Sequence, residues 1–151
     1  MRRDSRLSAV LHLLLHLREL DGPVTSKALG PLMNTNPVLV RRMLGGLRDA
    51  GIVSAEKGHG GGWALARSLD EVTLADVYRA LGSPHLFSIG PQRENPRCLV
   101  EQAVNRSLGK AFGEAQALLL AELARTTVAA IARDVSRHQP HSKHQRGNVH
   151  A

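Results

Sequence analysis

A mainly α-helical chain with one small β-hairpin is what this sequence predicts, and three observations carry that expectation. Apolar residues recur at steps of three and four through most of the chain. Two short runs of strand type flank a glycine-rich tract at residues 55–62. Aromatic residues make up only 3% of a chain that is 42% hydrophobic, so Leu, Val and Ala must build the core, which favours packed helices.

Taken in order, residues 5–20 read as a first helix, with Leu7, Val10, Leu11, Leu14 and Leu17 on one face. Asp21-Gly22-Pro23 stops it. Thr25 suits the N-cap of a short second helix, Ser26 to about Met33, which Pro31 weakens near its end. Asn34-Thr35-Asn36-Pro37 is turn and capping chemistry. A third helix follows over residues 37–50, with Val40, Met43, Leu44 and Leu47 as its apolar stripe and Gly51 as its stop.

Ile52-Val53-Ser54 and Trp63-Ala64-Leu65 predict two strands joined by the glycine-rich loop. Residues 70–81 read as helical, and residues 82–96 as a loop rich in Pro and Gly. From Arg97 onward Leu108, Phe112, Ala115, Leu119 and Leu123 predict a long helix. Thr126-Thr127 breaks it and caps a last short one, residues 128–137. Residues 138–151 lack apolar periodicity and are expected to be a disordered tail. Helix, short helix, turn, amphipathic helix and glycine-tipped hairpin, in that order, describe a winged helix-turn-helix, here extended by a long C-terminal helix.

Charge narrows the function. The chain has 20 Lys and Arg against 13 Asp and Glu, a net charge of +7, which attracts polyanions. Lys27, Arg41, Arg42, Arg48, Lys57 and Arg67 concentrate that charge in the helix-turn-helix and hairpin, against Asp49 and Glu56. Arg2, Arg3 and Arg6 add a basic N-terminus. A single cysteine, Cys98, excludes an intrachain disulfide and any metal site built on several thiolates of one chain. No apolar run approaches the roughly 18 residues of a membrane span. The Leu-rich N-terminal stretch is interrupted by His12, His16, Arg18 and Glu19 and lacks a cleavage site, so a cytosolic protein is expected.

The third helix can bury one side and offer the other to a major groove. Asn34, Thr35 and Asn36 stand at its N-terminus, where backbone N–H groups favour a phosphate. Val38, Arg41 and Arg42 lie beside them, the arginines in reach of phosphates or guanine edges. Ser26 and Lys27 are expected to touch backbone phosphates. In the wing, Lys57 and His59 supply donors, while Gly60 and Gly61 let the backbone approach DNA without a Cβ.

These residues resemble a known family. Asn36-Pro37-Val38-Leu39-Val40-Arg41-Arg42-Met43-Leu44 and Leu47-Arg48-Asp49-Ala50-Gly51-Ile52-Val53 are similar to the recognition-helix block of the Rrf-two family. So are Gly58-His59-Gly60-Gly61-Gly62-Trp63-Ala64-Leu65-Ala66 and the following Val72-Thr73-Leu74-Ala75-Asp76-Val77-Tyr78. The resemblance implies a dimeric winged-helix transcription regulator, mostly a repressor, whose long C-terminal helix pairs with that of a second copy. Cluster-binding members carry three cysteines after the winged domain; Cys98 stands alone here, which implies the cluster-free branch and no cofactor.

Other chemistry is less well supported. Cys98, beside Arg97 at a helix start, is a candidate redox sensor. His59-Gly60-Gly61-Gly62 matches the oxyanion-hole motif of lipases, yet no G-x-S-x-G elbow accompanies it. His12 and His16, at i and i+4, suit a metal on one helix face, with Glu19 as the only further donor there. They read as a solvated polar face, and neither a metal nor an enzymatic activity is expected.

The sequence thus predicts a DNA-binding domain over residues 1–82, a loop over 83–97, dimerisation helices over 98–137 and the tail. The expected partners are a palindromic double-stranded operator and a second copy of the chain, with the effector unknown. The alternative is a regulatory module whose winged helix binds a protein partner.

Overall fold

The structure is a computed structural model that describes residues 4–87 and 97–138. Six helices and one hairpin follow in the order α1 (Arg6–Glu19), α2 (Ser26–Leu32), α3 (Pro37–Asp49), β1 (Val53–Glu56), β2 (Gly62–Leu65), α4 (Leu74–Ala80), α5 (Leu99–Arg125), α6 (Val128–His138). This is the winged helix-turn-helix with a long C-terminal helix. The expected tail beyond His138 and most of the Pro- and Gly-rich loop lie outside the described residues.

The core forms where the amphipathic stripes meet. Val10, Leu13, Leu14 and Leu17 of α1 pack with Leu29 of α2 and with Val40, Met43, Leu44 and Leu47 of α3. Ile52, Val53 and Trp63 close it from the hairpin, and Val128 and Ala129 from α6. The predicted caps are present: Thr25 Oγ1 accepts from the Ala28 N–H at 3.1 Å, and Asn36 Oδ1 from the Leu39 N–H at 2.9 Å. Close packing between α3 and α4 depends on Gly46, because a Cβ there would stand 2.4 Å from the Ala80 carbonyl oxygen.

Two boundaries differ from the sequence reading. The hairpin is longer, pairing Val53 with Leu65 and Glu56 with Gly62, and Val24 adds a short third rung through two backbone hydrogen bonds with Trp63 at 2.8 and 2.9 Å. Helix α4 starts at Leu74, four residues later than expected. Leu69 and Val72 are buried core residues in the segment before it, and their spacing mimics a helical turn.

What starts α4 is a capping box. Thr73 Oγ1 accepts from the Asp76 N–H at 3.1 Å, and the Asp76 carboxylate accepts from the Thr73 N–H at 2.9 Å. That Thr73 N–H holds the Asp76 carboxyl below its usual range against the opposing effect of burial, aided to a lesser extent by the Thr73 hydroxyl and the charges of Arg79 and Arg67. A carboxyl lowered on folding stabilises above its unfolded value and loses that contribution as pH falls through the folded one. Asp76→Ala is therefore expected to cost about 1 kcal/mol at neutral pH. In urea titrations the gap to the parent should close below pH ~4; a gap that persists at low pH would assign the loss to packing instead.

The same segment ties the C-terminal arm to the body. Leu74 N–H donates to the Thr126 carbonyl at 2.9 Å, Val128 N–H to Val72 at 2.9 Å, and Ala129 N–H to Leu69 at 3.1 Å. Arg133 adds an exposed ion pair to Asp70 at 3.0 Å. The corner between α5 and α6 is thereby fixed, and with it the direction in which α5 leaves.

Helix α5 spans 27 residues, about 40 Å at 1.5 Å per residue. Asn105 is the one described residue of α5 that is buried. The predicted apolar stripe divides in two. Phe112 faces Phe87, ring centres 5.7 Å apart, and Leu123 is half-buried. Val100, Val104, Leu108, Ala111, Ala115 and Leu118 instead form an exposed strip along one side, with Val104 50% and Leu118 67% exposed. Among the described residues no helix is long and apolar enough to cross a membrane.

Candidate nucleic-acid interface

Three elements meet at one open concave surface. Thr25, Ser26 and Lys27 enter it from the start of α2, Pro37 and Arg41 from the first turns of α3, and Glu56, Gly58, Gly61, Gly62 and Trp63 from the hairpin. The cap at Asn36 sets the direction of α3 and leaves Val38, Arg41 and Arg42 exposed. Val38 is 69% exposed, a high value for an apolar side chain at a helix start. Asn34 takes a left-handed backbone, φ 49°, in the turn between α2 and α3. Lys57, His59 and Gly60 form the exposed tip of the hairpin.

Ser26 has a structural bond that its sequence position does not announce. It is buried, and its Oγ accepts a hydrogen bond from the Trp63 indole N–H at 2.8 Å. The bond pins α2 to the wing across 37 residues of sequence. The bond uses an acceptor lone pair of the hydroxyl and leaves its O–H donor for another partner, while Lys27 beside it is exposed. Ser26→Ala would strand the buried indole N–H and is expected to cost about 1–3 kcal/mol, read by thermal unfolding. A melting temperature equal to the parent's would show that the bond is dispensable.

The wing glycines also serve the hairpin itself. A Cβ at Gly61 would lie 2.4 Å from the Glu56 carbonyl oxygen, and at Gly62, φ 150°, 2.6 Å from the Val24 backbone. Their presence therefore follows from the tight turn and the Val24 rung before any ligand is considered. Glu56 is the carboxylate of the concave surface and works against a phosphate there. At the other side of α3, Arg42 lines a second cleft with Arg6, Leu39, Met43, Gly46 and Leu81. Arg6 is already paired with Asp4 at 2.6 Å, which offsets part of the basic N-terminus.

Cys98 lies outside this surface. It is the N-cap of α5, half-buried, and its Sγ accepts from the Glu101 N–H at 3.4 Å.

The sequence and the fold have counterparts among known proteins. The profile of the Rrf2 family, described as iron-dependent transcriptional regulators, matches residues 3–134. The chain belongs to the Rrf2 family. The HTH-type transcriptional regulator YwnA of Bacillus subtilis is 31% identical over 121 residues, 80% of this chain and 90% of its own. A crystal structure described as a DNA binding protein superposes with a TM-score of 0.69 at 29% identity, covering 85% of this chain and 99% of its own. A transcriptional regulator from Lactobacillus plantarum has the same fold, with a TM-score of 0.75 at 24% identity over 89% of this chain and 91% of its own.

Iron held as a cluster does not fit this Rrf2 member's donor set. The whole chain has one thiol, and no group of three or more His, Cys, Asp or Glu converges among the described residues.

Proposed function

We propose that this Rrf2 protein is a sequence-specific DNA-binding repressor that acts as a homodimer on a palindromic operator. The observation that carries the reading is the single concave surface shared by α2, the first turns of α3 and the wing. Beside it, on the outward side of α3, Val38 and Arg42 would face base edges, with Asn34, Thr35 and Asn36 at the phosphate next to the α3 N-terminus. Lys27, Arg41, Lys57 and His59 would hold phosphates on either side, and Gly60 and Gly61 would let the wing backbone draw near. The exposed apolar strip of α5 would pair with that of a second copy and set two α3 helices on successive major-groove faces, about 34–36 Å apart.

Fluorescence anisotropy with DNA from the protein's own upstream region, against unrelated DNA at several salt concentrations, tests the reading. Binding that prefers the upstream DNA and weakens with salt supports it. Equal, salt-independent binding to both would instead favour a protein partner for the winged helix.

Cys98 is proposed as the point of control. Oxidation would add an oxygen to the sulfur that caps α5, at the end of the strip assigned to the second copy. Peroxide is expected to lower operator affinity of the parent, whereas Cys98→Ser, which keeps a capping oxygen, should bind equally well and ignore peroxide. An identical peroxide response in that variant would remove Cys98 from the mechanism.

A further inference from the structure

His12 and His16 line a cleft of 450 Å³ between α1 and α6, together with Leu15, Arg18, Glu19 and Ser136. Their Nε2 atoms stand 2.8 Å apart, with ring centres 4.5 Å apart and ring planes tilted by 48°. These two distances constrain what the pair can share. A straight N–H···N hydrogen bond of this length would hold the ring centres about 5.1 Å apart. The observed separation is shorter, so the line between the two nitrogens is bent away from at least one ring axis.

Metal–imidazole nitrogen distances are about 2.0–2.1 Å. Two imidazoles meeting an ion at a right angle then have nitrogens about 2.9 Å and ring centres about 4.5 Å apart. A tetrahedral angle would stretch the pair to about 3.4 and 5.2 Å. Both observed distances agree with the right angle.

We propose that His12 and His16 form a binding site for one divalent late transition-metal ion of square-planar or octahedral habit, Cu(II) or Ni(II). Imidazole donors suit these ions, and right-angled geometry separates them from tetrahedral Zn(II). The i, i+4 spacing on a continuous helix holds both rings in place, so little ordering is needed when the ion arrives. With no third His, Cys, Asp or Glu converging on the pair among the described residues, water fills the remaining positions. The cleft has room for it, since a water takes up about 30 Å³. Arg18 and Glu19 on the cleft wall have opposite charges, so neither sign prevails at the ion's entrance. The sequence alone marks this face as solvated; the ring geometry gives it a ligand. The site is independent of the DNA-binding reading.

The test is calorimetric titration with Ni(II) and electron paramagnetic resonance with Cu(II). Both use the full chain carrying His138→Asn, His141→Asn, His144→Asn and His150→Asn, so that the C-terminal histidines do not compete. One ion per chain is expected, and the Cu(II) spectrum should show coupling to two nitrogen donors. His12→Ala and His16→Ala together should lose that ion with an unchanged circular dichroism spectrum. The proposal is overturned by Ni(II) binding that survives the double substitution, or by no binding in the background chain. Tighter binding of Zn(II) than of Ni(II) would overturn the right-angled geometry.

Discussion

Placing Glu at both Val104 and Leu118 is expected to convert the protein to a monomer and to lower operator affinity about 10²–10⁴-fold. Both side chains are at least half exposed in the single chain, so their replacement removes little intrachain packing. They lie on one strip of α5 with Val100, Leu108, Ala111 and Ala115, a contiguous apolar surface of the kind that marks an interface. Paired with a second copy, each Glu would place a charge in that interface. The affinity loss follows from linkage: two half-site contacts on one dimer act together, and separate monomers forfeit the effective concentration. Sedimentation and anisotropy check the two halves. A variant that stays dimeric would assign dimer formation to another face; a monomer with undiminished affinity would refute the palindromic reading.

How much of this was legible in the sequence depends on how local each determinant is. The helices α1 and α3 were readable because their stripes, Val10 to Leu17 and Val40 to Leu47, repeat within a few turns and end in strong stop signals. The caps at Thr25 and Asn36 were readable for the same reason. The start of α4 was not, because Leu69 and Val72 are apolar as members of a core assembled from distant elements, while their backbone carbonyls bond to the start of α6. The structural bond of Ser26 was hidden in the same way: its partner Trp63 stands 37 residues further along the chain. In α5 the residue types announced a helix, but two apolar sides at similar spacing had to be separated by burial. Phe112 turns to Phe87, and the outward strip runs through Val104 and Leu118.

Arg42→Ala and Arg41→Ala are expected to weaken operator binding in different ways. Along α3 the buried residues Val40, Met43, Leu44 and Leu47 define the inward direction. At about 100° per residue, Val38, Arg42 and Gly45 then lie close to the opposite, outward centre, while Arg41 lies on the flank that meets the wing. Nothing stands within 4 Å of a Cβ at Gly45, so the outer face beyond Arg42 is flat enough for a groove to approach. On the proposed reading Arg42 would meet a guanine edge, with Val38 beside it against a thymine methyl group. Its loss should cost about 1–3 kcal/mol on the operator and relax preference at one base position per half-site. Arg41 shares the concave surface with Lys27 and Gly61 and is placed for a phosphate. Its loss should weaken operator and unrelated DNA alike, and reduce the salt slope by about 1 for each half-site contact. Neither change should disturb the fold, since both side chains are exposed and the bond of Arg41 Nε to the Pro37 carbonyl is long, at 3.4 Å. Anisotropy with operator variants changed one base pair at a time, repeated across a salt series, separates the two effects. If Arg41→Ala relaxed base preference and Arg42→Ala changed only the salt slope, α3 would have to enter the groove rotated toward the wing.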